Sequence, residues 1–250
     1  MKFIKDDVGK DDADDAGDVI RSSVLLEQQY ESLMDRLREL PENAPVEERV
    51  ELMAQAAAIK VDLEQGKEAW DLAKAAFDEA MQAEDWQGAV MACNILFQAD
   101  QPDSLAALGQ GIWLGVTFPV DPELTVALLQ HVVDETPEDS DGAAVAAVAA
   151  HYIADLRCEE GKARDELLFF TNNLIGTVAR RHGSVDTQEQ FDFWFQKLEL
   201  EDPAKFLVRL RNIVDVLVQE NWWFDRDALG EIDISLSFRI TTRLASLSPA

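Results

Sequence analysis

The chain repeats itself at an interval of 36 residues between about residues 69 and 155. A shift of 36 places Asp85 on Asp121, so DWQGAVMACNILFQADQPD and DPELTVALLQHVVDETPED occupy equivalent positions in successive units. The helical stretches that precede them align under the same shift, with Leu72 on Leu108. A period of this length that holds two helices predicts an α-solenoid, in which each unit buries its apolar face against its neighbours.

The rest of the sequence also favours helix. Ala, Leu, Glu and Gln are common and clusters of β-branched residues are few, a composition typical of helical proteins. VIRSSVLLEQQYESLMDRLREL gathers its apolar residues on one helix face, and the stretch from Val46 is predicted to be a helix with Val50, Met53, Ala57 and Val61 inward. GAAVAAVAAHYIADLRC and KARDELLFFTNNLIGTVARRH predict a third helix pair. We therefore predict an all-α protein built from antiparallel helix pairs.

Two stretches resemble known helical repeats. DEAMQAEDWQGAVMACNILFQADQPD resembles the second half of a tetratricopeptide repeat, with Ala80 and Ala89 at small packing positions and Pro102 ending the second helix. LAALGQGIWLGVTFPVD resembles a Sel1-type repeat in its order of Leu-Gly, aromatic, Gly and Asp, but Thr117 and Thr125 replace the glycine and alanine of that pattern. The resemblance covers about the same residues as the repeat and implies a solenoid that binds other proteins.

The glycines of LAALGQGIWLGVTFPVD are predicted to serve helix packing. Gly109 and Gly111 would allow a neighbouring helix to approach closely, and Gly115 is expected to cap the end of its helix. No strand precedes this segment, so it lacks the context of a phosphate-binding glycine loop.

The charge of the chain is strongly one-sided. It contains 22 Lys and Arg against 49 Asp and Glu, for a formal net charge of −27. No Lys or Arg occurs from Ala75 to Leu156, a stretch that holds 14 Asp and Glu. Such a surface repels nucleic acid and anionic membranes and attracts a basic protein surface. Solubility alone, or a salt-rich cell interior, would also account for the acidity.

Three regions are predicted from composition: an acidic flexible tail over residues 1–17, a helical-repeat region over 18–182 and an aromatic-rich helical region over 183–250. In the last region EIDISLSFRI alternates apolar and polar residues, which predicts one short strand. The same stretch also fits a capping helix that brings Leu236 and Ile240 into register.

The sequence contains no recognisable catalytic or metal-binding motif. His131, His151 and His182 lie far apart, and neither HExxH, a Walker loop nor GxSxG occurs. The calcium-loop candidate DADDAGD lacks the glutamate required at its twelfth position. Cys93 and Cys158 lie beside helix-forming sequence and are predicted to be buried thiols rather than a disulfide. We expect no enzyme activity, no cofactor and no metal.

The expected function is that of a non-catalytic interaction module that presents an anionic helical-repeat surface to a basic partner protein. Two other functions fit the sequence: an accessory or assembly factor, chaperone-like, for a multi-subunit or metal-containing enzyme, and an acidic nucleic-acid mimic that inhibits a DNA-binding protein. Trp86 or Trp113 would anchor the partner, and core packing is the competing role for these two tryptophans. The residues predicted to contact a partner are Glu84, Asp85, Trp86, Asp121, Trp194, Trp222 and Trp223.

The expected location is the cytoplasm. The sequence has no run of about 18 apolar residues and no signal-peptide or transit-peptide pattern. We expect no membrane binding and no direct binding of nucleic acid, and the sequence does not indicate an oligomeric state.

Overall fold

The computed structural model describes residues 15–229, and these residues form ten α-helices, a last helical turn at 226–229 and no strand. EIDISLSFRI and most of the acidic tail lie outside the described residues. The first helix begins at Asp15, so it includes the last three residues of the predicted tail. The helices are α1 (Asp15–Glu39), α2 (Val46–Asp62), α3 (Gly66–Gln82), α4 (Trp86–Gln98), α5 (Ser104–Thr117), α6 (Pro122–Glu135), α7 (Asp141–Arg157), α8 (Lys162–Gly183), α9 (Gln188–Lys197) and α10 (Pro203–Val218).

The helices form two layers. Helices α3, α5 and α7 make one layer, here the odd layer, and α2, α4, α6 and α8 make the other, the even layer. Each odd helix packs against the even helices next to it in the chain, and the even helices also contact one another in series. This arrangement confirms the predicted all-α solenoid of helix pairs. None of the helices in the described part of the chain combines the length and apolarity needed to cross a membrane.

The predicted 36-residue equivalence is visible at the helix starts. Asp85 is the N-cap of α4 and Asp121 is the N-cap of α6. Their carboxylates accept hydrogen bonds from the backbone N–H groups of Gly88 and Glu123, both at 2.9 Å. Each bond satisfies one of the backbone donors that a helix start leaves without a partner.

Small residues set the spacing of the layers. A Cβ at Gly111 would lie 2.7 Å from Cβ of Cys93, so the glycine allows α5 to approach α4, as predicted. The prediction for Gly115 was wrong, because α5 continues to Thr117 and ends with Phe118 as its C-cap. Phe118 precedes a proline, and the proline ring disfavours helical backbone at the residue before it.

Helix α10 returns to the odd layer and packs against α5 and α7. Its buried side chains, Phe206, Leu210, Val214 and Val218, recur every four residues and form one stripe. Helix α7 is enclosed by α6, α8 and α10, and every residue from 143 to 150 is buried. Alanines at most of these positions allow helices to pack around α7 on several sides.

Candidate partner-binding surfaces

Three turns, within the helix pairs α3–α4, α5–α6 and α7–α8, lie side by side on one edge of the fold, which we call the turn edge (residues 83–86, 118–123 and 157–162). The backbone N–H of Asp121 donates to Oε1 of Gln87 at 2.8 Å, which joins the first two turns. Trp86 stacks on Phe118 across the same gap, with ring centroids 3.9 Å apart and planes within 8°. Arg157 then joins the second and third turns, since its guanidinium donates to the end of α5 at 2.5 Å.

Carboxylates recur at each turn of this edge. Glu84 is exposed and adopts a left-handed backbone with φ of 57°. The other members of the row are Asp85, Asp121, Glu123, Glu159 and Glu160. Within residues 15–229, no ion pair forms at Glu84, Asp85, Asp121, Glu159 or Glu160. These carboxylates therefore add to one another as a band of negative charge.

A cleft of about 460 Å³ separates the second and third turns. Five carboxylates and three basic side chains line it: Asp121, Glu123, Glu159, Glu160 and Glu166, with Arg157, Lys162 and Arg164. The basic groups have partners in the fold, since Lys162 pairs with Glu166 at 3.2 Å and Arg164 pairs with Asp155. Burial raises the pKa of the Cys158 thiol beside the cleft, and the negative charge of Asp121 raises it further. A cation entering the cleft would thus meet Asp121, Glu159 and Glu160, for which no ion pair forms among the described residues.

Trp194 lies inside the fold. Only 5% of its surface is exposed, and its indole N–H donates to Nδ1 of His182 at 2.9 Å. Nε2 of His182 lies 3.1 Å from a carboxylate oxygen of Asp141, and Arg209 lies 3.1 Å from the other oxygen. The tryptophan therefore belongs to a network that joins α7, α8, α9 and α10. Its neighbour Phe193 is 69% exposed.

Trp222 and Trp223 lie on the odd layer, where Trp113 contacts both Trp222 and Phe118 of the turn edge. Trp223 contacts Phe77 with ring centroids 5.2 Å apart, and Trp222 contacts Trp113 at 6.2 Å. Both tryptophans are half-buried. In this structure their partners are other residues of the same chain.

The predicted contact residues therefore divide into separate groups. Glu84, Asp85, Trp86 and Asp121 come together on the turn edge, whereas Trp194 is buried and the other two tryptophans cover the odd layer. Glu159 and Glu160 were not among the residues predicted to contact a partner. They could have been identified from the predicted third helix pair, because the turn between α7 and α8 is equivalent to the turns that carry Glu84 and Asp121.

The two other histidines are packed inside the fold. Burial lowers the pKa of His131 to about 4, and its Nε2 lies 3.0 Å from Oδ1 of Asn94. Burial also lowers the pKa of His151, which contacts the hydroxyl of Thr171 at 2.9 Å. Cys93 is buried, as predicted, and Cys158 is half-buried; both are free thiols. Among the described residues, no group of three or more His, Cys, Asp or Glu side chains is arranged to hold a metal ion.

No protein-family model, curated protein or solved structure matches this chain. The resemblance to tetratricopeptide and Sel1-type repeats therefore stays a prediction, and the helix-pair solenoid is assigned from the packing of the helices alone.

Proposed function

We propose that this protein is a non-catalytic interaction module that binds a basic protein surface or segment through the turn edge. The observation that carries the proposal is the alignment of three carboxylate-bearing turns, of which the first two lie in the stretch without Lys or Arg and the third has basic side chains that already have partners in the fold. Repetition of the helix pair repeats the charge, so one basic segment lying along the edge would meet each turn in succession.

The expected binding is collective and sensitive to salt. An exposed ion pair contributes roughly 0.2–1 kcal/mol, so no single carboxylate would dominate the affinity. Charges on the edge would still attract a basic partner over about 8–10 Å at physiological ionic strength, and this attraction chiefly raises the association rate. Trp86 is half-buried and stacks on the buried Phe118, so the exposed part of its ring lies next to the charges and the aliphatic part of a lysine or arginine would pack against it.

The test is a charge reversal that leaves the helix caps intact. Asp85 and Asp121 cap helices, so reversing them would confound folding with binding. The variant Glu84→Lys/Glu159→Lys/Glu160→Lys changes only exposed residues that cap no helix. The matched control is Glu64→Lys/Asp100→Lys/Glu138→Lys, which makes the same charge change at exposed residues of the opposite turns. Glu64 and Asp100 share the left-handed backbone of Glu84.

The readout is the affinity for a partner isolated from the native host on the immobilised wild-type chain. We expect the turn-edge variant to lose about tenfold or more in affinity at low salt, three contacts at up to about 1 kcal/mol each, and the control to lose much less. An equal loss of affinity in both variants would show that binding depends only on net charge. That result would indicate that the acidic residues serve solubility and do not form a specific binding surface.

The same experiment separates the two other functions. If neither the charge reversal nor raised salt weakens binding, the result would favour an assembly factor that binds its partner through exposed aromatic residues such as Phe193. Loss of the partner to competing duplex DNA would favour a nucleic-acid mimic, because the DNA and the protein would then share one basic site.

A further inference from the structure

The odd layer carries an aromatic groove, formed by Trp70, Lys74 and Phe77 of α3 and by Gln110 and Trp113 of α5. Residues 219–224, here the aromatic segment, lie in it. The segment follows α10 and forms no helix of its own. Trp223 meets Trp70 and Phe77 edge-on, with centroids 6.0 and 5.2 Å apart. The Nζ of Lys74 lies 5.0 Å from the centre of the Trp223 ring.

The groove recognises the backbone of the segment as well as its rings. Gln110 is fully buried, and its Oε1 accepts a hydrogen bond from the backbone N–H of Trp223 at 2.8 Å. Its Nε2 donates to the carbonyl of Ala106 in the same helix at 3.3 Å. A buried amide holds the backbone of a segment 113 residues away among aromatic rings, and apolar or aromatic walls with a few polar groups that fix orientation are also the features of ligand-binding sites.

The backbone is strained where the segment leaves α10. Gln219 adopts φ of 54° and ψ of −123°, a conformation that glycine adopts readily and glutamine does not. Strain of this kind persists only while the surrounding contacts outweigh it, and release of the segment would relieve it. The contacts with the groove therefore hold the segment in place although its bound position requires a strained backbone at Gln219.

We propose that the aromatic groove is a peptide-binding site, that residues 219–224 are its intramolecular ligand, and that an extended aromatic segment of another polypeptide displaces them. The partner segment would carry two or three consecutive aromatic residues, because three rings of the chain's own segment are accommodated here. The groove uses none of the carboxylates of the turn edge, although its Trp113 also contacts Phe118 there, so this proposal does not depend on the function proposed above.

The test measures binding of a labelled peptide, QENWWFDRD, which reproduces residues 219–227. It is titrated against the full-length chain and against the full-length variant Trp222→Ala/Trp223→Ala/Phe224→Ala, in which the groove loses its own ligand. A tethered ligand acts at an effective concentration in the millimolar range, so we expect the variant to bind the peptide about tenfold or more tightly than wild type. The control peptide QENAAADRD should bind neither protein.

Two further variants test whether the peptide binds in the groove itself. In the triple-variant background, Trp70→Ala and Lys74→Ala should each weaken peptide binding severalfold, because both side chains contact Trp223. Binding that is indifferent to both would overturn the proposal, and so would a folded triple variant that does not bind. A triple variant that fails to fold overturns it as well, since the segment would then be a part of the core and not a replaceable ligand.

Discussion

The packing of α10 on α5 depends on the absence of a side chain at Gly109. A Cβ there would lie 2.6 Å from Cγ2 of Val218, 3.0 Å from Cβ of Leu217 and 3.3 Å from the carbonyl oxygen of Val214. Real Cβ atoms essentially never approach other atoms to 2.6 Å, so one helix must move. We predict that Gly109→Ala destabilises the protein, although alanine is the better helix former.

The magnitude follows from two opposing effects. Alanine in place of glycine inside a helix stabilises it by about 1 kcal/mol. Overpacking a well-filled contact costs about 1–3 kcal/mol, and the close backbone carbonyl of Val214 places this site at the upper end, near 3. The expected net loss is about 2 kcal/mol, which corresponds to a decrease in Tm of about 4–8 °C for a chain of this size.

Gly176 provides the matched control. It lies inside α8, and a Cβ there would meet only the guanidinium of Arg180, at 3.6 and 3.9 Å. Gly176→Ala should therefore raise the free energy of unfolding by about 0.5–1 kcal/mol, the propensity gain alone.

Urea unfolding followed by circular dichroism would measure both variants, and amide hydrogen exchange would report where the structure loosens. We expect the lost protection in Gly109→Ala to lie in α10. The double variant Gly109→Ala/Val218→Ala should be less destabilised than the sum of its parts, because one residue of the clash is removed. A gain of stability in Gly109→Ala, like that expected for Gly176→Ala, would show that the contact between α5 and α10 does not require glycine at this position.

Three further predictions concern caps, pH and strain. Asp85→Ala and Asp121→Ala should each lower the free energy of unfolding by about 0.5–2 kcal/mol in urea titrations, and similar values at the two sites are expected because the caps are equivalent. Burial lowers the pKa of His131 from 6.5 to about 4. Between these values the unfolded chain binds a proton that the folded chain does not, so stability falls as the pH falls, by up to about 1.4 kcal/mol per pH unit. His131→Gln should flatten the stability profile over this window, and an unchanged slope would contradict the assignment. Gln219→Gly should stabilise the protein by about 1 kcal/mol, and a thermal melt that shows no gain would argue against backbone strain at this residue.

Local signals in the sequence predicted the repeating part of the fold. Asp85 and Asp121 are recognisable because a helix start needs an acceptor for its free N–H groups, and that need is the same in each unit. Val50, Met53 and Ala57 are buried as their spacing predicts, because a helical period fixes which residues share a face. The four carboxylate and aromatic positions on the turn edge came together for the same reason, since equivalent turns stack when equivalent helices stack.

The position of α10 could not be predicted in this way. The spacing of Phe206, Leu210, Val214 and Val218 shows that one face is buried, but the helix that covers it lies about a hundred residues earlier in the chain. Gly109 was recognised as a site of close helix approach, without any indication of which helix approaches. Periodicity identifies a buried face, whereas the choice of partner depends on shape complementarity that appears only after the layers have formed.

The two proposed surfaces therefore differ in the physics of their binding. The turn edge offers exposed carboxylates, so its interactions would weaken as salt is added and the Debye length shortens. The aromatic groove offers rings and a buried amide, whose contacts with a peptide depend little on ionic strength. Helix α10 connects the groove to the α7 end of the fold, because Arg209 binds Asp141 at the start of α7 while Val218 contacts Gly109 on α5. Displacement of the aromatic segment would remove the contact of Trp222 with Trp113, whose ring also lies 6.1 Å from that of Phe118 in the turn edge. We expect it to leave the charge of the turn edge unchanged and to alter the affinity for a basic partner only through the contacts of Trp113, Phe118 and Trp86, which a titration with the groove closed and vacated would measure.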